Sequence, residues 1–320
     1  MKNLVACVVV SAVLFVVACS PQGPDSEGPP PLAGLPNGSF AANLNGFDIH
    51  YEVHGQGPVL MVVPQSWGLS IAGLRGIYRP LEDRLTLVYF DPRGMGESSP
   101  IVEESDMGMV AVRADFQALR EHLGLSSVNA IGWSNGAMNL ILVAAENPAT
   151  IANAVFVHGV ASYTEEDGRQ LAERYPELMA KYGAFEEEMR TNTELTDVER
   201  TEKMRWLWFA DWFPLSTADP ENAPMMFERL FGEAEFSWPH ADYNNRVSPT
   251  FDVRDQLPLI TARSLVIAGV HDMMAVEKVR ELADGIAGSQ FVVFESSGHF
   301  APAEESQAFT RAVWDFLAAE

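Results

Sequence analysis

The chain of 320 residues is 47% hydrophobic, which suits a globular core, and its formal net charge at pH 7 is -23. A charge of this sign and size argues against nucleic-acid binding, because the phosphate backbone would repel the protein. The only cysteines are Cys7 and Cys19, so the rest of the chain holds no disulfide, no catalytic thiol and no thiolate metal site.

The first 19 residues have the composition of an export signal. An N-terminal lysine precedes an apolar run over residues 4–17, which is shorter than the about 20 residues that a membrane-spanning helix needs. The run ends in Val-Val-Ala-Cys at residues 16–19, which resembles a bacterial lipobox. We therefore expect residues 1–19 to be a lipoprotein signal peptide with Cys19 lipidated; an ordinary signal peptide or an uncleaved anchor helix is the alternative. We expect the protein to be anchored by this lipid on the periplasmic side of the outer membrane or at the cell surface, and by analogy with known lipoproteins Ser20 implies sorting to the outer membrane in a Gram-negative host.

Residues 20–38 are rich in proline and glycine and lack apolar periodicity, so we expect a flexible tether between the lipid and the folded body. From residue 47 onward, short apolar runs alternate with longer amphipathic patterns, which is typical of a mostly parallel sheet with helices on both faces. The predicted strands are residues 59–63, 85–90, 128–133, 154–157, 264–268 and 291–294, and the predicted helices are 108–123, 137–146, 276–286 and 305–319.

Residues 161–257 interrupt this alternation. They are helical in character and contain Trp206, Trp208, Phe209, Trp212, Phe213, Phe227, Phe231 and Trp238. A structureless loop of this length is implausible inside a compact domain. We therefore expect a helical cap inserted between two core segments, 39–160 and 258–320, with most of its aromatic side chains packed as a core rather than around a ligand.

Gly-Trp-Ser-Asn-Gly at residues 132–136 is the strongest local signal in the sequence. It follows a predicted strand and opens a predicted helix, which is the context that a G-x-S-x-G nucleophile elbow requires. Glycines beside the serine permit a strained strand-to-helix turn, and the N-terminus of the next helix favours a developing negative charge. The motif therefore predicts Ser134 as a nucleophile.

A serine hydroxyl needs a base to take its proton and an acid to orient that base. Asp272 lies in the loop after the predicted strand 264–268, and His299 lies in the loop after the predicted strand 291–294. This order agrees with the elbow and predicts a Ser134–His299–Asp272 triad. Carboxylates after the preceding strand are alternatives for the acid, namely Glu165, Glu166 and Asp167.

Four segments together resemble the α/β-hydrolase superfamily, with the nearest resemblance to its proline iminopeptidase-like branch. They are Asp-Pro-Arg-Gly-Met-Gly-Glu-Ser at residues 91–98, the elbow, Gly-Val-His-Asp at 269–272 and Ser-Gly-His at 297–299. The resemblance implies an α/β-hydrolase fold with a mostly parallel central sheet, flanking helices and an inserted cap. It also implies a serine hydrolase that uses no metal and no organic cofactor, and a structural turn at residues 91–98.

One segment departs from this pattern. The family usually has His-Gly-Gly after the third strand, where a backbone N–H contributes to the oxyanion hole, whereas this chain has Val-Pro-Gln-Ser-Trp-Gly at residues 63–68. Since the hole needs backbone donors rather than particular side chains, we expect it to form from Asn135 N–H with Ser66 or Gln65 N–H. A misplaced loop would slow the enzyme or restrict it to substrates with good leaving groups.

By resemblance, the first candidate activity is removal of a proline or small residue from the N-terminus of a short peptide. Such enzymes bind the substrate's ammonium group through cap carboxylates, for which this chain offers Asp211, Glu233 and Glu235. Further substrate-binding candidates are Trp67, Trp133 and His158. A carboxylesterase or lactonase acting on small apolar acyl groups is the alternative, and a lipid-anchored binding protein without chemistry is a third.

Overall fold

The structure is a computed structural model that describes residues 34–319. Residues 1–33 and 320 lie outside the described residues, and with them the predicted signal peptide, the predicted lipidation site Cys19 and most of the predicted tether. The predicted outer-membrane or cell-surface location depends on the same segment. Among the described residues, none of the helices is long and apolar enough to cross a bilayer.

Within the described residues, eight strands form the central sheet in the order β1-β2-β4-β3-β5-β6-β9-β10. Their bounds are β1 Gly38–Leu44, β2 Phe47–Gly55, β3 Val59–Val63, β4 Thr86–Phe90, β5 Val128–Trp133, β6 Ile151–Val157, β9 Arg263–Gly269 and β10 Gln290–Phe294. The six strands β4, β3, β5, β6, β9 and β10 run parallel to one another. In contrast, β1 pairs antiparallel with β2, and β2 pairs antiparallel with β4. The predicted mostly parallel sheet is therefore confirmed.

The interior strands are the predicted apolar runs. Every residue of β3 and β4 is buried, because helices cover both faces of the sheet. The helices of the core are α1 Ile71–Tyr78, α2 Gly108–His122, α3 Asn135–Glu146, α10 Val276–Gly285, α11 Ala301–Glu304 and α12 Ser306–Ala318. Four of them coincide with the predicted helices to within two residues, whereas α1 and the single turn α11 were not predicted.

Helices also dominate the segment between β6 and β9, for which a cap was predicted. They are α4 Glu165–Arg174, α5 Pro176–Thr191, α6 Asp197–Leu207, α7 Phe213–Leu215, α8 Ala223–Phe231 and α9 Trp238–Val247, with a π-helical turn at Trp208–Trp212 between α6 and α7. Two short strands, β7 Ser162–Tyr163 and β8 Phe251–Asp252, pair at the two ends of this segment and were not predicted. Phe213 and Phe231 pack against Phe300 of the core with ring centroids 4.4 and 6.0 Å apart, so aromatic packing joins the segment to the core.

The turn at residues 91–98 ties three elements together through one buried carboxylate. Asp91 accepts hydrogen bonds from Ile71 N at 2.8 Å and from His50 Nδ1 at 2.8 Å, which link the end of β4 to the start of α1 and to β2. A Cβ atom on Gly96 would lie 2.1 Å from the Asp91 carboxylate, so only glycine fits there. The geometry explains the motif as a structural element.

His50 makes this turn sensitive to pH. Its hydrogen bond to Asp91 raises the pKa of His50 above 6.5. A histidine whose pKa is raised by folding stabilises the native state fully below its unfolded pKa, and that contribution is lost as the pH rises through the folded pKa.

We expect His50→Gln to lower the free energy of unfolding by about 1.5–3 kcal/mol at pH 6, the usual range for a hydrogen bond between charged groups. The difference between the variant and the wild type should shrink as the pH rises past the folded pKa of His50. Urea denaturation of both proteins between pH 5.5 and 9 measures it. A difference that is constant over this range would show that the imidazolium form of His50 does not stabilise the turn.

Candidate active site

Ser134 lies in a strained turn between β5 and α3. Its φ is 54° and its ψ is -122°, a conformation that side-chain-bearing residues adopt rarely and at a cost. A Cβ atom on Gly132 would lie 2.4 Å from the carbonyl oxygen of Gly136, and a Cβ on Gly136 would lie 2.4 Å from that of Val63. Both glycines are therefore required sterically, as the elbow motif predicted.

Asp272 and His299 meet although 27 residues separate them, because the parallel strands β9 and β10 end at the same edge of the sheet. His299 Nδ1 donates a hydrogen bond to Asp272 Oδ2 at 2.7 Å. This bond places the imidazole proton on Nδ1 and leaves Nε2 as the basic nitrogen. Asp272 Oδ1 also accepts from Met274 N at 2.9 Å, which orients the carboxylate.

Two of the alternative acids have other partners, and none of the three contacts His299 through a hydrogen bond among the described residues. Asp167 caps α4 through Thr164 and forms an ion pair with Lys278 at 3.1 Å. Glu166 pairs with Arg169 on the surface of the same helix. Among these carboxylates, only Asp272 has a hydrogen bond to His299 in the part of the chain that the structure describes.

The carboxylate of Asp272 is buried and ionised. Burial alone would raise its pKa, but the interaction with the neighbouring imidazole of His299 outweighs burial and holds the pKa well below its usual range. His158 is itself fully buried, and burial lowers its pKa, so this second imidazole is neutral at pH 7. Its Nδ1 lies 3.0 Å from Asp272 Oδ2 but outside hydrogen-bonding geometry.

One group of described side chains lies close enough together to hold a metal ion. It consists of His158, Asp272 and His299, whose ligand atoms lie within 4.8 Å of one another. However, the 2.7 Å separation of His299 Nδ1 and Asp272 Oδ2 is that of a charge-assisted hydrogen bond. A hydrogen bond from His299 to the ionised Asp272 therefore accounts for this contact.

Ser134, Asp272 and His299 line one pocket with a volume of about 310 Å³. Within the described residues, no hydrogen bond joins Ser134 Oγ to the imidazole of His299. Catalytic hydrogen bonds are often long or poorly aligned before a substrate is bound. The backbone of His299 is held from two sides. Its carbonyl accepts a hydrogen bond from Trp133 Nε1 at 2.8 Å, and its backbone N–H donates to Ser216 O of the cap segment at 2.7 Å.

The predicted oxyanion donors are not equally available to a substrate in this structure. Asn135 begins α3, where the first backbone N–H groups have no partner within the helix and can donate hydrogen bonds to an anion. Ser66 N–H is not free, because it donates to Asn135 Oδ1 at 2.7 Å. The backbone N–H of Gln65 stays a predicted donor, whereas the side chain of Gln65 is buried and its Nε2 donates to Trp133 O at 3.2 Å.

The rest of the pocket is aromatic and aliphatic. Its lining comprises Trp67, Leu171, Tyr182, Phe185, Met204, Leu207, Trp208, Trp212, Phe213, Ser216, Phe236, Trp238, Ala241, Asn245, Met273, Met274 and Phe300, besides the three residues named above. Among the described residues that line this pocket, only Asp272 and His299 can carry a charge. The sequence predicted Trp67 here but did not predict that the cap aromatics would surround the pocket.

Two predicted substrate contacts need correction. Trp133 is fully buried because the end of β5 faces the cap helices, and it packs against Phe231 and Phe300. His158 is 2% exposed and faces Asp272 instead of the pocket. Trp133 contacts the backbone of His299, and His158 lies beside Asp272. Both side chains are inaccessible to a substrate in this structure.

The three cap carboxylates predicted to bind an ammonium group also lie outside the pocket lining. Asp211 pairs with Lys181 Nζ at 2.5 Å. Glu233 and Glu235 line separate surface grooves. The sequence predicted these acids near the site because they belong to the cap, but Asp211 lies in the π-helical turn, Glu233 and Glu235 lie in the loop between α8 and α9, and none of them lines the pocket.

Comparisons with known proteins agree with this geometry. The family model of the alpha/beta hydrolase fold matches residues 59–306. A proline iminopeptidase of Saccharolobus solfataricus is 22% identical over 73% of this chain and 76% of its own length. The 2-hydroxy-6-oxononadienedioate/2-hydroxy-6-oxononatrienedioate hydrolase 2 of Pseudomonas putida is 26% identical over 84% of this chain and 91% of its own length. The structure of an alpha/beta fold family hydrolase from Bacillus anthracis superimposes with a TM-score of 0.72 at 19% identity, covering 88% of this chain and 99% of that one.

Replacing the acid tests the geometry of the triad. We expect Asp272→Asn to lower kcat for an activated ester by roughly 1,000- to 10,000-fold, because the amide stabilises the wrong imidazole tautomer. Asp211→Asn, which neutralises a carboxylate outside the pocket, is the matched control and should keep wild-type kcat. Steady-state kinetics of the two variants and of Ser134→Ala measure the effect. Similar kcat values for the two Asn variants would contradict the role of Asp272.

Proposed function

The chain belongs to the alpha/beta hydrolase family, and we propose that it is a serine carboxylesterase or lactonase for small, neutral, apolar substrates. The composition of the pocket carries this proposal. Apart from the triad, no described lining residue has a charged side chain, and most lining residues are aromatic or aliphatic. A volume of about 310 Å³ suits a small acyl group.

An ammonium or carboxylate group on the substrate would find no partner in this pocket. Moving an unpaired ion from water into an apolar site is strongly unfavourable. The cap carboxylates that an aminopeptidase would need are directed elsewhere, as described above for Asp211, Glu233 and Glu235. Aminopeptidase activity is therefore the second candidate, favoured by the similarity to a proline iminopeptidase but not by the charges at the site.

The proposed reaction proceeds through an acyl-enzyme. Ser134 Oγ attacks the ester carbonyl while its proton passes to His299 Nε2, and Asp272 stabilises the imidazolium that forms. The oxyanion forms beside the N-terminus of α3, at Asn135 N–H. Its collapse expels the alcohol, which takes the proton from His299. A water molecule, activated by the same imidazole, then hydrolyses the acyl-enzyme and restores Ser134.

We further propose that the enzyme is exported and anchored by a lipid on Cys19, on the basis of residues 1–19 alone. The substrate would then be met outside the cytoplasm, and the membrane would be a partner only through this lipid.

Ester and anilide substrates separate the two candidate activities. We expect hydrolysis of p-nitrophenyl acetate, butyrate and hexanoate, with little cleavage of prolyl p-nitroanilide or its N-acetylated form, because the pocket cannot pair an ammonium group. Initial rates for the wild type and Ser134→Ala measure this. Cleavage of the free-amine anilide alone would instead establish the aminopeptidase, and equal ester hydrolysis by Ser134→Ala would contradict the serine mechanism.

Metabolic labelling tests the lipid anchor. When the full chain is expressed in a bacterium that processes lipoproteins, we expect incorporation of radioactive palmitate and recovery in the membrane fraction. Cys19→Ser should remove both, whereas Cys7→Ser is the matched control and should remove neither. Absence of label from the wild type would contradict the anchor without affecting the proposed chemistry.

A further inference from the structure

Two donors of Ser66 converge on a single oxygen atom beside the nucleophile. The backbone N–H of Ser66 lies 2.7 Å from Asn135 Oδ1, and Ser66 Oγ lies 2.8 Å from the same atom. Donors at this distance around one oxygen are what an oxyanion hole provides for the transition state. Here the oxygen belongs to the residue that directly follows Ser134 in the chain.

The Ser66 hydroxyl also contacts the cap. Ser66 Oγ lies 2.8 Å from the carboxamide of Asn244 on α9. A hydroxyl carries one proton and cannot donate to two oxygens, and the oxygen and nitrogen of a carboxamide are assigned rather than observed. The consistent arrangement has Asn244 donating its NH₂ to Ser66 Oγ, while the hydroxyl proton points to Asn135 Oδ1. Asn244 of the cap therefore directs the hydroxyl donor of Ser66 toward the Asn135 side chain, to which the backbone N–H of Ser66 also donates.

The loop that carries Ser66 is held against the cap and has little room to move. Ser70 N–H donates to Glu235 O at 3.1 Å, and Glu235 N–H donates to Ser70 Oγ at 3.0 Å. A Cβ atom on Gly68 would lie 2.7 Å from the Cβ of Ser237. Ser66 is fully buried, and neither Ser66 nor Asn135 lines the pocket in this structure. Because the loop itself is fixed, a substrate carbonyl can reach the Ser66 donors only by displacing the Asn135 side chain.

We propose that the Asn135 carboxamide is an internal ligand of the oxyanion hole. In the empty enzyme it occupies Ser66 N–H and O–H, and it turns away when a substrate carbonyl enters. The complete hole then has three donors, Asn135 N–H, Ser66 N–H and Ser66 O–H, which replaces the expected pair of backbone donors. This inference rests on the proposed serine chemistry of Ser134. It adds a side chain that competes with the substrate carbonyl for the donors of Ser66.

The test uses a p-nitrophenyl alkylphosphonate, which reports on the hole without knowledge of the natural substrate. Ser134 Oγ displaces p-nitrophenolate from phosphorus, forming one Ser–O–P bond and releasing one equivalent of the chromophore. We expect Asn135→Ala and the nearly isosteric Asn135→Leu to react about 2- to 10-fold faster than the wild type, the factor for one ordinary hydrogen bond. Asn135→Asp should react at least about 10-fold slower, because a charged acceptor binds the donors more tightly.

Further variants make the result specific. Ser66→Ala keeps the backbone N–H but removes the hydroxyl donor, and it should slow phosphonylation. Asn222→Ala, a substitution of an exposed residue that does not line the pocket of Ser134, is the control and should react at the wild-type rate. Thermal unfolding of each variant shows whether a changed rate reflects a changed fold.

The outcomes separate this inference from the proposed function. If the wild type reacts and both Asn135→Ala and Asn135→Leu are folded but slower, the carboxamide assists the reaction and the inference is overturned while the serine chemistry stands. If neither the wild type nor any Asn135 variant reacts faster than Ser134→Ala, the proposed function fails and the inference fails with it. A silent wild type with a reactive Asn135→Leu would support the inference strongly.

Discussion

The backbone strain at Ser134 is the constraint on which the rest of the site depends. A residue other than glycine at positive φ costs on the order of 1–3 kcal/mol and persists only where the surroundings enforce it. The surroundings here are a parallel sheet and a helix packed without space between them, since Gly132 and Gly136 touch backbone atoms at distances that exclude a side chain. Ser134 N–H completes the turn by donating to Val157 O at 2.8 Å, so the neighbouring strand holds the strained residue in place.

His299 is held by the same packing but from the opposite side. Trp133, the residue before the nucleophile, donates its indole N–H to the His299 carbonyl, so the strand that presents Ser134 also positions the base. The cap contributes Ser216, whose carbonyl accepts the His299 N–H. Displacing the cap would therefore disturb the base as well as open the pocket. The cap segment therefore contributes to the position of His299 in addition to lining the pocket.

Much of the fold was predictable because buried parallel strands are continuous apolar runs, and the triad followed from the loops that end them. The antiparallel strands β1 and β2 of the central sheet were not predicted, because they keep polar residues on one face and show no continuous apolar run. Asn45-Gly46 between them, both at positive φ, is the usual hairpin signal and could have revealed them. Side-chain direction was not predictable: the burial of Trp133 and His158 and the contact of Asn135 with Ser66 depend on packing between elements distant in sequence.

Charge outside the pocket and charge inside it both bear on the proposed class of substrate. A net charge of -23 repels anions before they reach the surface, which lowers their rate of encounter. Cations are attracted to that surface, but Asp211, the carboxylate predicted to receive one, is already paired with Lys181. Within the pocket, the ionised Asp272 is occupied by His299, and the other lining residues are uncharged. Neutral substrates alone face neither repulsion on approach nor an unpaired charge on binding, and this is the physical basis for preferring an ester over a peptide with a free N-terminus.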